Sequence, residues 1–119
     1  MKLLLFLFLS LLLNIQNGSY SIKPFLDYLQ EKGYWDILFN IRSIFGNEVA
    51  IDICIKLTES PSDCEEVFRV YMTTPSVNKC PAKPLEKMKL ILKPIDDPII
   101  IKRLSEARLI EIIEPNCPL

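Results

Sequence analysis

Apolar residues recur at helical spacing in the first half of the chain. They predict one short helix that has Pro24 in its first turn and ends at Gly33, and a second helix from Asp36, as the N-cap, to Gly46. The apolar faces of these two helices comprise Phe25, Leu26, Leu29, Ile37, Leu38, Ile41, Ile44 and Phe45. This spacing is typical of amphipathic helices that bury one side.

Residues 49–57 fit two patterns. Their isoleucines alternate as in a strand, whereas other apolar positions in the same stretch repeat at helical spacing. Glu48, Asp52 and Lys56 stand four residues apart and would support one another on the surface of a helix. The helical interpretation is therefore favoured, and the strand stays open.

The clearest helix start follows this stretch. Ser60 is a suitable N-cap, Pro61 suits the first helical position, and Asp63 completes an S-x-x-D capping box. The apolar face of this helix would consist of Cys64, Val67, Phe68 and Tyr71. Because a cysteine shares this face, its disulfide should attach the helix to a neighbouring element.

The C-terminal part alternates between irregular and ordered segments. Residues 73–84 contain three prolines and predict an irregular connection. Residues 87–93 fit either a strand or a helix that starts at Pro84. Asp97 and Pro98 start a further helix, which residues 109–113 either extend or follow as a strand.

This further helix is expected to run over 97–107. Its predicted buried face is Ile100, Ile101, Leu104 and Ala107, and its predicted outward residues are Lys102, Arg103 and Glu106. The chain as a whole is predicted to be mainly α, a small disulfide-stabilised domain of about five helices. The alternative is an α+β domain in which 87–93, 97–107 and 109–113 form a C-terminal β-α-β unit.

The N-terminus has the pattern of a secretory signal peptide. Lys2 precedes an apolar run from Leu3 to Leu13, interrupted only by Ser10, and small residues follow before Ile22. A transmembrane anchor would need about 20 apolar residues, which is more than this run contains. We therefore expect residues 1–21 to be removed and 22–119 to form a single secreted, extracellular domain without a membrane anchor.

Secretion changes the interpretation of the four cysteines, Cys54, Cys64, Cys80 and Cys117. In an oxidising compartment they are expected to form two disulfides. Four cysteines allow three pairings, and the sequence does not decide among them. The pairing Cys54–Cys64 with Cys80–Cys117 is preferred because its first bridge can brace adjacent elements.

Composition excludes several functions. The chain has no histidine, which removes the usual general base and the commonest nitrogen ligand of metals. Three glycines cannot build a phosphate-binding loop, and 14 basic against 15 acidic residues do not favour nucleic acid. We expect no metal, no cofactor and no nucleic acid. Catalysis could use only carboxylates such as Glu65, Glu66, Glu111 or Glu114, and because nothing singles these out, the protein is predicted not to be an enzyme.

One segment resembles a known family. Cys54 and Cys64, followed by Glu65-Glu66-Val67 and Tyr71, resemble the central part of saposin-like proteins over about residues 49–72. The resemblance implies a compact helical bundle, a Cys54–Cys64 bridge and helices that present an apolar surface to lipid. The chain departs from the family in its four cysteines and in a first helix without paired cysteines.

Two functions remain as hypotheses. The first is non-catalytic binding of a lipid, another apolar ligand or a membrane surface. Its possible apolar contacts are Phe25, Trp35, Phe68 and Tyr71, and its possible anionic-surface contacts are Lys83, Lys87 and Lys89. The alternative is a secreted protein–protein interaction factor, toxin-like, host-directed or receptor-binding, with a solid core and no ligand cavity.

Overall fold

The computed structural model describes residues 22–76 and 79–119. Within these two ranges the chain forms seven α-helices and no strand. The helices are α1 (Ile22–Glu31), α2 (Tyr34–Phe45), α3 (Asn47–Thr58), α4 (Pro61–Tyr71), α5 (Pro84–Leu92), α6 (Pro98–Arg103) and α7 (Glu106–Ile113). The protein is therefore a mainly helical, disulfide-stabilised domain, as predicted. The expected signal peptide, residues 1–21, lies outside the described residues.

The three segments with ambiguous patterns are all helical. Residues 49–57 lie in α3, residues 87–92 belong to α5, and residues 109–113 belong to α7. In the described ranges no β-α-β unit forms. There are more helices than the predicted five or so because Pro84 does open a helix and because the run from 97 to 113 is divided in two.

The division between α6 and α7 lies at Leu104 and Ser105. The N–H of Leu104 donates to the carbonyls of Ile100 and Ile101, and Ser105 then adopts an extended ψ of 156°. The chain leaves the α6 axis here, and Ala107 is exposed rather than buried. Ile101, within α6, is 51% exposed as well, so the predicted buried face is wrong at these two positions. Arg103, predicted to face outward, is partly buried.

The two predicted glycines lie at helix ends, but one predicted N-cap residue is wrong. Gly33 takes a left-handed conformation, with φ 76°, between α1 and α2. It is itself the N-cap of α2, so Asp36 lies in the first turn of that helix and the prediction of Asp36 as the cap is wrong. Gly46, with φ 95° and ψ 175°, joins α2 directly to α3.

The junction of α3 and α4 carries the first disulfide. Cys54 and Cys64 are bonded, with their Cα atoms 5.9 Å apart, and both are fully buried. Ser60 is at the N-cap position, as predicted, but its side chain makes no capping hydrogen bond. Its N–H instead donates to the Thr58 hydroxyl at 3.3 Å. The predicted capping box is therefore not formed.

One hydrophobic core extends through all seven helices. Helix α3 is central, since it packs against α2, α4, α6 and α7. Its buried residues are Val49, Ala50, Ile53, Cys54 and Leu57. Helix α1 covers α2 and α4 on one side, and α5 packs against α2 and α7 on the other. The C-terminal helices are therefore held to the first four by side chains of α2 and α3.

A buried arginine and the second disulfide hold the connection between α4 and α5. The Arg42 Nε donates to Asn47 Oδ1 at 3.0 Å, and its Nη2 donates to the carbonyls of Met72 and Thr74. The Lys79 N–H donates to the Ile44 carbonyl at 3.0 Å. The Cys80–Cys117 bridge joins this connection to the C-terminus and encloses α5, α6 and α7, so the pairing is the preferred one.

Candidate functional site

Three of the four aromatic residues predicted to contact an apolar ligand lie together. The Trp35 ring lies edge-to-face against Phe68 and Tyr71, with centroids 6.4 Å apart in both pairs. Phe68 is buried to 1% exposure, Trp35 is half-buried and Tyr71 is 44% exposed. Phe68 thus supports this cluster from inside the core, and Tyr71 presents it at the surface. Phe25, on α1, packs partly buried against the core and makes no ring contact with the three within the described residues.

The three lysines predicted to contact an anionic surface belong to α5 and its N-cap. All are exposed. Lys83 lies 3.8 Å from Glu86, and Lys89 lies 3.0 Å from Glu106 at the start of α7. Two of the three charges are therefore paired with nearby carboxylates, and the positive potential of this face is reduced.

A groove lies where α3 and α4 meet α6 and α7. It is an open groove of about 670 Å³, here called the α3–α6 groove, with three apolar, four basic and one acidic side chain. These are Ile55, Pro61, Ile99, Lys56, Lys102, Arg103, Arg108 and Glu59. The apolar members include Ile99, which is 64% exposed. The groove therefore combines an apolar wall with a concentration of positive charge.

Local structure brings the basic residues of the α3–α6 groove together. Asp97 accepts a hydrogen bond from the Ile99 N–H at 3.0 Å and so fixes the start of α6. Lys102 and Arg103 then fall in the last turn of α6, where cations are favoured beside the carbonyl ends. The chain turns at Ser105 into α7, which supplies Arg108.

Opposing charges only partly neutralise this groove. Arg103 Nε lies 3.2 Å from Glu59, and Arg108 lies 3.2 Å from Glu111. Among the described residues, no carboxylate lies within ion-pairing distance of Lys56 or Lys102. An anion in the groove would therefore meet two ammonium groups that are in no close ion pair, although the charge of Asp52 acts on Lys56 from one turn earlier on α3.

Glu59 is held at this position by the end of α3. Its backbone is left-handed, with φ 57°, and its N–H donates to the Ile55 carbonyl at 2.7 Å. This conformation ends α3 and turns the chain towards Pro61. The Glu59 carboxylate reaches Arg103 from this turn while remaining 67% exposed.

A second, smaller groove of about 390 Å³ lies between the start of α2 and the segment before α6. Tyr34 lines it beside Asp96 and Asp97. Burial is the main cause that raises the pKa of Tyr34, and the neighbouring Tyr28, Asp97 and Asp96 raise it further. With these two aspartates against one lysine, Lys32, the lining has a net negative charge, in contrast to the α3–α6 groove.

The carboxylates considered for catalysis do not converge on one site. Glu66 pairs with Arg69 on the exposed surface of α4, and this hydrogen bond lowers the pKa of Glu66. Glu111 is on α7 and pairs with Arg108. Glu65 and Glu114 are exposed on different helices or helix ends. Within the described ranges, no group of three or more acidic or cysteine side chains could hold a metal ion.

None of the helices that the structure describes is both long enough and apolar enough to cross a bilayer. Comparisons of the chain with models of protein families, with curated proteins and with solved structures found no match.

The sequence pattern did not indicate the α3–α6 groove. In the sequence, Lys56 belongs to a charged row on α3, and Lys102 and Arg103 belong to a predicted outward face. The sequence does contain one signal, the run Ile99-Ile100-Ile101-Lys102-Arg103, because a helix of fewer than two turns cannot bury three successive isoleucines. Which of these isoleucines would lie near Lys56 depended on how α6 packs against α3.

Proposed function

We propose that the protein is a secreted, non-catalytic binding protein and that its ligand, a lipid or another apolar molecule, binds in the α3–α6 groove. The observation that carries this proposal is the apolar wall of that groove, formed by Ile55, Pro61 and Ile99. Its volume of about 670 Å³ lies within the usual range of small-molecule sites. A ligand that covers Ile99 would remove exposed apolar surface from water, which favours binding.

Two further observations support secretion and lipid binding. The N-terminal pattern is that of a signal peptide, and two disulfides suit an oxidising compartment. The resemblance of residues 49–72 to saposin-like proteins implies lipid contact. The groove is open to solvent, so a ligand could enter without unfolding any of the described helices that line it.

The α6 helix offers a matched pair of variants for the test. The protein is produced through an oxidising secretory route and titrated with a fluorescent long-chain amphiphile, while native mass spectra are searched for co-purified apolar mass. Ile99→Asp places a charge on the apolar wall and is expected to weaken binding about tenfold or more. Ile101→Asp alters another exposed isoleucine of the same helix, outside the groove, and is expected to bind as the parent does.

Either of two results would contradict this proposal. One is the absence of both a co-purified ligand and amphiphile binding. The other is equal binding by the Ile99→Asp and Ile101→Asp variants, which would place the ligand elsewhere.

A second candidate function, binding of a protein partner, is favoured by the aromatic cluster of Trp35, Phe68 and Tyr71. This cluster lies near the C-terminal end of α4, whereas the groove contains Pro61 at the N-terminal end. Tyr71 is 44% exposed and Val70 is 38% exposed, and the Trp35 ring packs edge-to-face against the Tyr71 ring. Rigid aromatic side chains of this kind dominate many protein interfaces. A photo-crosslinking residue at position 71, compared with one at position 87 on exposed α5, would capture a specific partner only from position 71 if this function operates.

A further inference from the structure

The charged residues that line the α3–α6 groove indicate the class of its ligand more narrowly than the apolar wall does. Four basic side chains converge on it, and Glu59 is the single acid among its lining residues. Bringing like charges together is unfavourable without a counterion, and low-dielectric apolar neighbours strengthen the effect. The groove therefore favours a ligand that brings negative charge.

Glu59 already supplies part of that charge. Its carboxylate lies 3.2 Å from Arg103 Nε, while its side chain is 67% exposed and that of Arg103 is 29% exposed. An ion pair with one partner so exposed is weak, because water and salt compete for the carboxylate. The Arg103 guanidinium, in contrast, is held closer to the protein and keeps its position at the groove. A ligand anion can therefore exchange with Glu59 at little cost.

We propose that the natural ligand of this groove is a single-chain amphiphile with an anionic head group, a carboxylate or a phosphate ester, and that this head group displaces Glu59 from Arg103. This inference rests on the proposed function, since it assigns the ligand class of the same groove. The apolar chain lies against Ile99 and the neighbouring apolar wall. The head group is bound by Arg103 and by Lys56 and Lys102, neither of which lies within ion-pairing distance of a carboxylate among the described residues.

The test compares ligands that differ only in charge. The protein is titrated with a fluorescent long-chain fatty acid below its aggregation concentration, and with the methyl ester of the same acid. The acid is expected to bind about tenfold more tightly than the ester, and added salt should reduce this difference. Inorganic phosphate at millimolar concentration should not displace the acid, because it cannot contact the apolar wall.

Three variants then locate the head group. Lys56→Gln with Lys102→Gln should weaken binding of the acid about fivefold and leave the ester unchanged. Lys23→Gln with Lys93→Gln removes the same charge from exposed lysines of α1 and of the end of α5, and should leave both ligands unaffected. Glu59→Gln keeps the shape of the side chain but removes the competing charge, so it should tighten binding of the acid about threefold. Circular dichroism and thermal melting verify that each variant is folded.

The outcomes separate the two proposals. Equal binding of acid and ester would overturn the anionic ligand class while leaving the proposed function intact. Unchanged binding by Glu59→Gln would overturn the displacement of Glu59, and displacement of the acid by phosphate would show that a free anion is the ligand. Failure of both acid and ester to bind would overturn this inference together with the proposed function.

Discussion

Arg42 is the one buried charged residue of the described chain, at 7% exposure. It is at the end of α2, and its guanidinium satisfies the Met72 and Thr74 carbonyls where α4 ends and the irregular connection begins. Helix ends leave carbonyl groups without intrahelical partners, and a cation there also interacts favourably with the helix dipole. The Arg42 side chain thus supplies hydrogen bonds to carbonyls that have no partner within a helix.

Replacing Arg42 with alanine is expected to lower the free energy of unfolding by about 2–3 kcal/mol, because charge-assisted hydrogen bonds are lost and the buried Met72 carbonyl loses its bond to Arg42. Arg69→Ala is the matched control, since the Arg69 side chain is 71% exposed and its ion-pair partner in the described part of the chain is Glu66 on the same helix. Urea unfolding of both variants measures the difference. Equal stability of the two variants would show that Arg42 does not hold this connection.

Tyr34 makes the stability of the protein sensitive to alkaline pH. Burial and nearby negative charge raise the pKa of its phenol, so the folded protein keeps this proton when the unfolded chain, near pH 10, loses it. Its contribution is fully present below about pH 10 and is lost as the pH rises through the folded pKa. Urea unfolding across this range should show a steeper loss for the parent protein than for Tyr34→Phe. Parallel curves would contradict this role of Tyr34.

Among the elements, the junction between α2 and α3 depends most strongly on a single backbone conformation. Gly46 joins the two helices without a loop, at φ 95° and ψ 175°, a region that is open essentially only to glycine. Gly33 occupies the left-handed helical region at φ 76° and ψ 6°, which other residues enter at moderate cost, and a Cβ there would meet no atom within 4 Å.

Gly46→Ala is therefore expected to destabilise the protein by about 2–3 kcal/mol, and Gly33→Ala by only about 1 kcal/mol. The larger effect follows because α2 and α3 pack against each other and cannot change their angle without opening the core. Thermal and urea unfolding of the two variants give the comparison. A larger loss for Gly33→Ala would contradict this account of the junction.

The sequence predicted the start of a helix correctly where the residues at that start determine it. Pro61 and Pro98 mark the observed starts of α4 and α6, because proline suits the first helical turn. Asp36 was wrong as a cap because Gly33 already ends α1 and starts α2 within one tight turn. Residues 49–57 were ambiguous because isoleucine fits a strand and a buried helix alike, and α3 is buried on several sides.

At the scale of the whole molecule, the two disulfides hold different parts. Cys54–Cys64 closes a short loop with a sequence separation of 10, whereas Cys80–Cys117 spans 37 residues and encloses α5, α6 and α7. On the loop-entropy account, the longer bridge stabilises the protein by about 4 kcal/mol and the shorter by about 3 kcal/mol.

Replacing Cys80 and Cys117 with alanine should therefore loosen the C-terminal helices before the rest. Hydrogen exchange is expected to speed up in α7 and α5, while the central helix α3 stays protected. In the matched variant without Cys54 and Cys64, the loss of protection should instead begin at the junction of α3 and α4. The same loss across all helices in both variants would show that the disulfides act only through global stability.

The sequence alone favoured the helical class while leaving an α+β alternative open, and it gave the excluded chemistries, the starts of α4 and α6 and the glycines that end α1 and α2, since these follow from spacing, capping residues and composition. Tertiary structure decided the rest. The division of 97–113 into α6 and α7 and the exposure of Ile99 depend on how short helices dock on α3, which spacing along one helix does not specify. The α3–α6 groove depends on the same docking, because Lys56 and Lys102 are distant in sequence and become neighbours only when α6 packs against α3. The potential in the groove depends on how its charges are arranged in space, and the near-zero net charge of the chain does not reveal that arrangement.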